Sequence, residues 1–198
     1  MAGDPQKGAS EHAHVVLIDE TGLQLSPLRR RSWAKRGCRP WLRQLAGPRQ
    51  KVSAIAALTI SPKGLRRNLY FQTLVNGSFD AARVAAFLRD LLKHLKGKII
   101  VVWDNGPMHK GPAIRELLKR NPRLTLEHLP PYAPELNPVE MLWSHLKFGH
   151  CANLIPRDLD HLDDEAANFF ITTKFDPKRL QSYWQQTPLH HALRKRAA

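Results

Sequence analysis

Cysteine is nearly absent from this 198-residue chain: Cys38 and Cys151 stand far apart, and neither belongs to a CxxC pair. That argues against a disulfide framework or a zinc knuckle and fits a protein of the reducing cytoplasm. Long apolar runs are missing too. None approaches the roughly 20 residues that span a bilayer, so no membrane association is expected. The opening MAGDPQKGASEHAH lacks the apolar stretch of a secretory signal. There is no internal repeat, no long low-complexity tract, and no convincing Ser-His-Asp or Cys-His arrangement for nucleophilic catalysis. Acidic residues are scarce: 17 Asp and Glu against 31 Lys and Arg leave a net charge of +14. Such a balance favours a polyanionic partner, nucleic acid first, over a merely solvated basic surface.

What is present is enough for one substantial core, with 42% hydrophobic residues. Residues 14–20, HVVLIDE, form a short apolar run ending in acids, the pattern of a strand buried on both faces. Residues 52–60 and 69–75 flank the Ser-Pro-Lys-Gly turn at 61–64 and read as an antiparallel hairpin. From Asp80 the period changes. Val84, Phe87, Leu88, Leu91, Leu92 and Leu95 keep helical spacing up to Gly97. A fourth strand follows over 98–103, then a short helix opened by Gly111-Pro112 and reaching about Arg120. Residues 124–129 give a fifth strand, and Asn137-Pro138 opens a helix through Leu142, Trp143 and Leu146. The order β-β-β-α-β-α-β-α predicts an α/β fold: a mixed sheet with helices on both faces and sites beyond the carboxyl ends of its parallel strands.

Three acids stand at ends of elements: Asp19 after strand one, Asp104 after strand four, and Glu140 in the first turn of the last core helix. If strands one and four are neighbours, their tips meet. Clustered carboxylates repel unless a cation lies among them, and hard oxygen donors suit Mg²⁺ or Mn²⁺. Each acid also has a local alternative. Asp104 in Asp-Asn-Gly-Pro suits a turn, Glu140 three residues after Asn137 suits a variant capping box, and Asp19 suits a strand terminator.

The set LIDETG (17–22), VVWDNGPMHKG (101–111) and HLPPYAPELNPVEMLWSHLK (128–147) closely resembles the DDE transposases of the mariner superfamily, especially their bacterial insertion-sequence branch. The 35 residues between Asp104 and Glu140 match the separation usual there. The resemblance covers roughly 14–150 and implies a ribonuclease-H-like fold. Position by position it implies that Asp19, Asp104 and Glu140 are catalytic metal ligands for two Mg²⁺ ions, with Mn²⁺ as a substitute and Asp104 bridging both. Asn105 and His109, from the second motif, would support these ligands or touch DNA, and Glu20 would be a spectator. The implied reaction is in-line attack on a DNA phosphodiester, leaving a 3′ hydroxyl that the same site directs at target DNA. The implied partners are double-stranded transposon ends and target, a second copy of the chain, and a separate helix-turn-helix recognition chain, since only about a dozen residues precede strand one. The expected location is the bacterial cytoplasm, at the nucleoid.

Between strands one and two, residues 29–51 carry nine basic side chains and no acid. Arg29, Arg30, Arg31, Lys35, Arg36, Arg39 and Arg43 are candidate phosphate contacts, and Trp33 either stacks on sugar or base or packs on the core. Three segments are expected: a flexible lead-in (1–13), the catalytic domain (14–150), and a helical extension with a basic tail (151–198) that includes a helix over 158–170. Two other functions stay open, an inactive remnant that only binds DNA and another ribonuclease-H-like nuclease or integrase.

Overall fold

The computed structural model describes residues 13–26, 28–31, 33–38, 50–64, 66–106, 109, 111–131 and 133–188. Residues 1–12 of the expected lead-in (1–13), Arg39 and Arg43 within the basic stretch, and the basic tail from 189 onward lie outside them, while Ala13 is buried. Five strands form one sheet: β1 (His14–Gln24), β2 (Lys51–Ile60), β3 (Arg67–Val75), β4 (Ile99–Trp103) and β5 (Leu124–His128), in the order β3-β2-β1-β4-β5. The β1–β2 and β2–β3 pairs are antiparallel, and β1–β4 and β4–β5 are parallel. The first strand runs four residues beyond its expected end because β2 pairs with it as far as Gln24 opposite Lys51, so Asp19 lies within β1, opposite Ala56, and not at its end.

The pleat sends alternate residues to two cores. Val15 and Leu17 join one, and Val16 and Ile18 the other. Helices α1 (Ala81–His94) and α2 (Pro112–Arg120) cover the second core with Val84, Leu88, Leu91, Ile114 and Leu117. Asp80 caps α1 by accepting from Arg83 N at 2.8 Å. The guanidinium of Arg123 donates to the carbonyls of Leu92, Leu95 and Gly97, so the turn before β5 closes the far end of α1. Gly111 precedes α2 at φ +139°, a backbone that side chains with a Cβ rarely adopt.

Three helices cover the opposite face. Helix α3 (Pro138–His145) runs directly into a π-helical turn (Leu146–His150), and α4 (Leu159–Lys174) and α5 (Pro177–Gln185) follow. Leu142, Trp143, Phe169, Phe170, Leu180 and Trp184 share one core with the sheet, so α4 and α5 pack directly with the elements of 14–150. Helix α5 was not among the expected elements. Its Leu180, Tyr183 and Trp184 are buried at helical spacing behind the Asp176 cap and Pro177.

Phe170 is fully buried, stacked on Phe71 at 4.8 Å and edge-on to Trp143 at 6.1 Å. Phe170→Ala is expected to cost about 3–5 kcal/mol in urea unfolding. Phe175→Ala, at a site 77% exposed, should stay within about 0.5 kcal/mol of wild type.

Candidate active site

The parallel pairing of β1 and β4 aligns His14 with Ile99 and Leu17 with Val102. Two further steps along the same register bring Asp19 level with Asp104. Both positions fall on the α3 face, because Leu17 and Val102 point there. Helix α3 reaches the same place through Asn137. That buried side chain accepts from Val139 N at 3.1 Å as the helix cap, and its amide donates to the Ile18 carbonyl at 3.4 Å. The clip seats the first turn of α3, and Glu140 with it, beside the residue preceding Asp19. Asp19, Asp104 and Glu140 thus line one cavity of about 350 Å³, walled by Leu129, Pro130, Pro131 and Pro134.

Asp19 is held on both oxygens. The Trp143 indole N–H donates to Oδ2 at 2.9 Å and Glu20 N to Oδ1 at 2.9 Å. Burial, with the charge of Glu140 next, pushes its carboxyl up to about 7. Asp104 is more exposed, and its Oδ1 accepts from Gly106 N at 2.8 Å. His109 Nδ1 lies 2.9 Å from the same oxygen and 3.0 Å from the Asp104 carbonyl. His128 Nδ1 also donates to that carbonyl, at 3.2 Å. Asn105 lines the cavity and donates to the Leu129 carbonyl at 3.5 Å, tying the Asp104 turn to the end of β5.

Glu20 is not a bystander in the packing. It points to the face opposite Asp19, and its Oε1 lies 3.2 Å from His109 Nε2. The His109 ring is fully shielded and stacks on Trp103, with centroids 4.3 Å apart and planes 3° from parallel. Burial alone would lower the pKa of His109, but the Glu20 hydrogen bond and charge and the Asp104 contacts outweigh it and hold the pKa above the usual imidazole value.

The donor chemistry fits divalent cations. Three carboxylates are hard oxygen donors, and raising the pKa of one by the charge of another is the electrostatic conflict that a cation relieves. Among the described residues no three His, Cys, Asp or Glu groups are gathered into a ready coordination shell. The three acids share one cavity, and a bound cation would draw them together into such a shell.

The basic stretch leaves β1 and is clasped to the turn after α3. Leu28 forms a bridge with Ala152, and Arg30 N donates to Asn153 Oδ1 at 2.8 Å. The Arg30 guanidinium donates to the Phe148 carbonyl at 3.1 Å and covers the Phe148 ring at 5.4 Å. Arg30 is therefore engaged within the chain. Arg29, Arg31, Lys35 and Arg36 are exposed, and Trp33 is fully exposed, away from any core.

A five-stranded mixed sheet with helices on both faces, one acid directly after β4 and another just past the parallel pairing on its neighbour β1, defines a ribonuclease-H-like catalytic fold. Residues 14–163 match the model of the DDE superfamily endonucleases, and the chain belongs to that family. The fold is similar to that of Mos1 transposase in a pre-cleavage transpososome (TM-score 0.62, 18% identity, 98% of this chain and 59% of that one). A mariner Mos1 paired-end complex with Mg is also similar (TM-score 0.58, 22% identity, 93% and 53%). So is the catalytic domain of Mos1 mariner transposase alone (TM-score 0.55, 14% identity, 98% and 88%). An uncharacterized protein of Sinorhizobium fredii, y4pE/y4sA, is 35% identical over 63 residues, 32% of this chain and 44% of that protein. The chain thus spans less than two thirds of that relative and of the Mos1 chains in DNA complexes.

Because the folded state of the metal-free protein favours neutral Asp19, this group's stabilising contribution is full below about pH 4 and is lost as pH rises through about 7. In EDTA, Asp19→Asn should match wild type at pH 4. By pH 8 it should exceed wild type by on the order of 2 kcal/mol in urea unfolding.

Proposed function

We propose that this chain is the catalytic domain of a transposase that cuts and joins DNA by two-metal phosphoryl transfer during transposition of an insertion sequence. One observation carries the reading: Asp19, Asp104 and Glu140 come from three separate elements to a single cavity. Family membership supports the endonuclease class.

In this reading the three carboxylates hold two Mg²⁺ ions, which supply charge neutralisation and activation of the attacking oxygen when bound. The residues of this chain do the placing. Trp143 and Glu20 N fix the orientation of Asp19, the Asn137 clip sets the approach of Glu140, and Asn105 and His109 hold the Asp104 turn. In the first step the oxygen of a water forms a bond to phosphorus as the P–O3′ bond breaks, leaving a 3′ hydroxyl and a 5′ phosphate. In the second, the oxygen of that hydroxyl forms a bond to a target phosphorus as the target's P–O3′ bond breaks, so the leaving oxygen takes up a proton and departs as a target 3′ hydroxyl. Arg29, Arg31, Lys35 and Arg36 grip phosphates, with Trp33 against sugar or base. Recognition of element ends falls to a helix-turn-helix unit outside this domain. Two copies of this chain serve two ends, at the bacterial nucleoid.

Wild type with Mn²⁺ is expected to nick and join short duplexes bearing element ends, and Asp104→Asn and Glu140→Gln to lose detectable product while still binding DNA. Metal-independent binding without product from wild type would point to the remnant instead. For binding itself, replacing Arg31, Lys35 and Arg36 together by Ala should flatten the dependence of log K on log salt. The expected reduction is about one unit per lost phosphate contact. An unchanged slope would move the DNA path elsewhere.

A further inference from the structure

Asp19 and Glu20 are consecutive, so the pleat drives their side chains to opposite faces of β1. Asp19 enters the cavity. Glu20 goes behind the sheet, where its side chain is 13% exposed and meets the wholly shielded ring of His109. That ring cannot drift, because it lies flat on buried Trp103 at the end of β4. Its other nitrogen meets Asp104 twice, at the carbonyl and at Oδ1. Among the described residues, both contacts on the Asp104 carboxylate, Gly106 N and the ring, fall on that one oxygen. A carboxylate so held on Oδ1 is restrained in rotation, and its contacts leave Oδ2 for a ligand in the cavity that Asp104 lines.

We propose that Glu20 and His109 are positioning residues: Glu20 fixes the imidazole from behind the sheet, and the imidazole fixes Asp104 for metal binding. The proposal rests on the reading of Asp104 as a metal ligand and adds to it a role for a carboxylate that points away from the cavity. Supports of this kind behind a ligand typically change metal affinity 10–100-fold when removed. The relay is directional, which separates it from simple packing. An Asn at 109 can place its amide near the Nδ1 position, towards Asp104, while a Gln reaches towards the Nε2 position and Glu20.

The test is Mn²⁺ affinity, read from the electron paramagnetic resonance of free Mn²⁺, on the full chain without DNA, with thermal melting of each variant as a fold check. His109→Gln is expected to bind Mn²⁺ about 10–100-fold more weakly than wild type, and His109→Asn to recover most of that loss. Glu20→Ala should fall between them, and Glu20→Gln, which keeps an acceptor of the same length, should stay close to wild type. Equal losses in His109→Asn and His109→Gln would overturn the relay and leave a packing role. So would wild-type affinity in a folded Glu20→Ala, or, if that variant does not fold, a loss in Glu20→Gln as large as in His109→Gln. Wild type that binds no Mn²⁺ would instead remove the metal-site reading and the relay with it. Mn²⁺ binding that Asp104→Asn abolishes but the Glu20 and His109 variants leave untouched removes the relay alone.

Discussion

The parallel pairing of β1 with β4 is the constraint on which the site depends. Side chains on a strand alternate with a period of two, so sliding β1 by one residue would turn Asp19 to the α1 face and Glu20 into the cavity. The register is well specified because both strands are buried on both faces, with Val15 to Ile18 and Ile99 to Trp103 divided between two cores. The same register places the Ile18 carbonyl where Asn137 can reach it. The third acid is therefore located by a hydrogen bond to the strand that carries the first. Catalytic geometry here follows from sheet geometry, with α3 as a dependent part.

That geometry has an electrostatic cost. Burying Asp19 near Glu140 penalises its charged form, and two donated hydrogen bonds only partly offset the penalty. The chain as a whole carries +14, but at physiological ionic strength charges are screened beyond about 8 Å, so distant arginines do little for the carboxylates. Their positive field is directed outward, where under the proposed function it would meet phosphates. The acids and the basic stretch thus divide the work. One concentrates negative charge in a small cavity suited to divalent cations, and under the proposed function the other would gather a polyanion that the cavity alone would repel.

The strands and α1 to α4 were legible because their apolar periods are strong and their boundaries carry Gly, Pro and capping residues, as at Asp80, Gly97 and Asn137. Asp104 and Glu140 were legible for the same reason, since one follows a strand and the other opens a helix, whereas Asp19 lies inside β1, whose polar continuation past Glu20 hid the true strand end. Helix α5 left a weaker trace. Its Asp-Pro start and the Leu180, Tyr183, Trp184 spacing were present, but within a short polar segment where a few apolar residues also suit an irregular tail. Trp33 could not be placed from its type, because an indole serves a core and a surface equally, and the structure puts it in solvent. Arg30 sat in a run of like charges, and nothing local showed that Phe148 and Asn153 would claim it. Glu20 and Trp143 were hidden for a plainer reason. Their partners lie 89 and 124 positions away, and no pattern along the chain reports such a meeting.

Those two long-range contacts leave the site supported from both sides of the sheet. Asp19 is tied forward to α3 through Trp143, which packs against Phe170 in the larger core. Asp104 is tied backward through His109 to Glu20 and to Trp103, which belongs to the core beneath α1 and α2. Close-packed interiors transmit small displacements because they have little free volume to absorb them. A core change on either face therefore has a short route to one carboxylate and a longer one to the other. The distance between Asp19 and Asp104 is the quantity that both cores set together, and under the proposed function cation binding between the two strands would depend most on that distance.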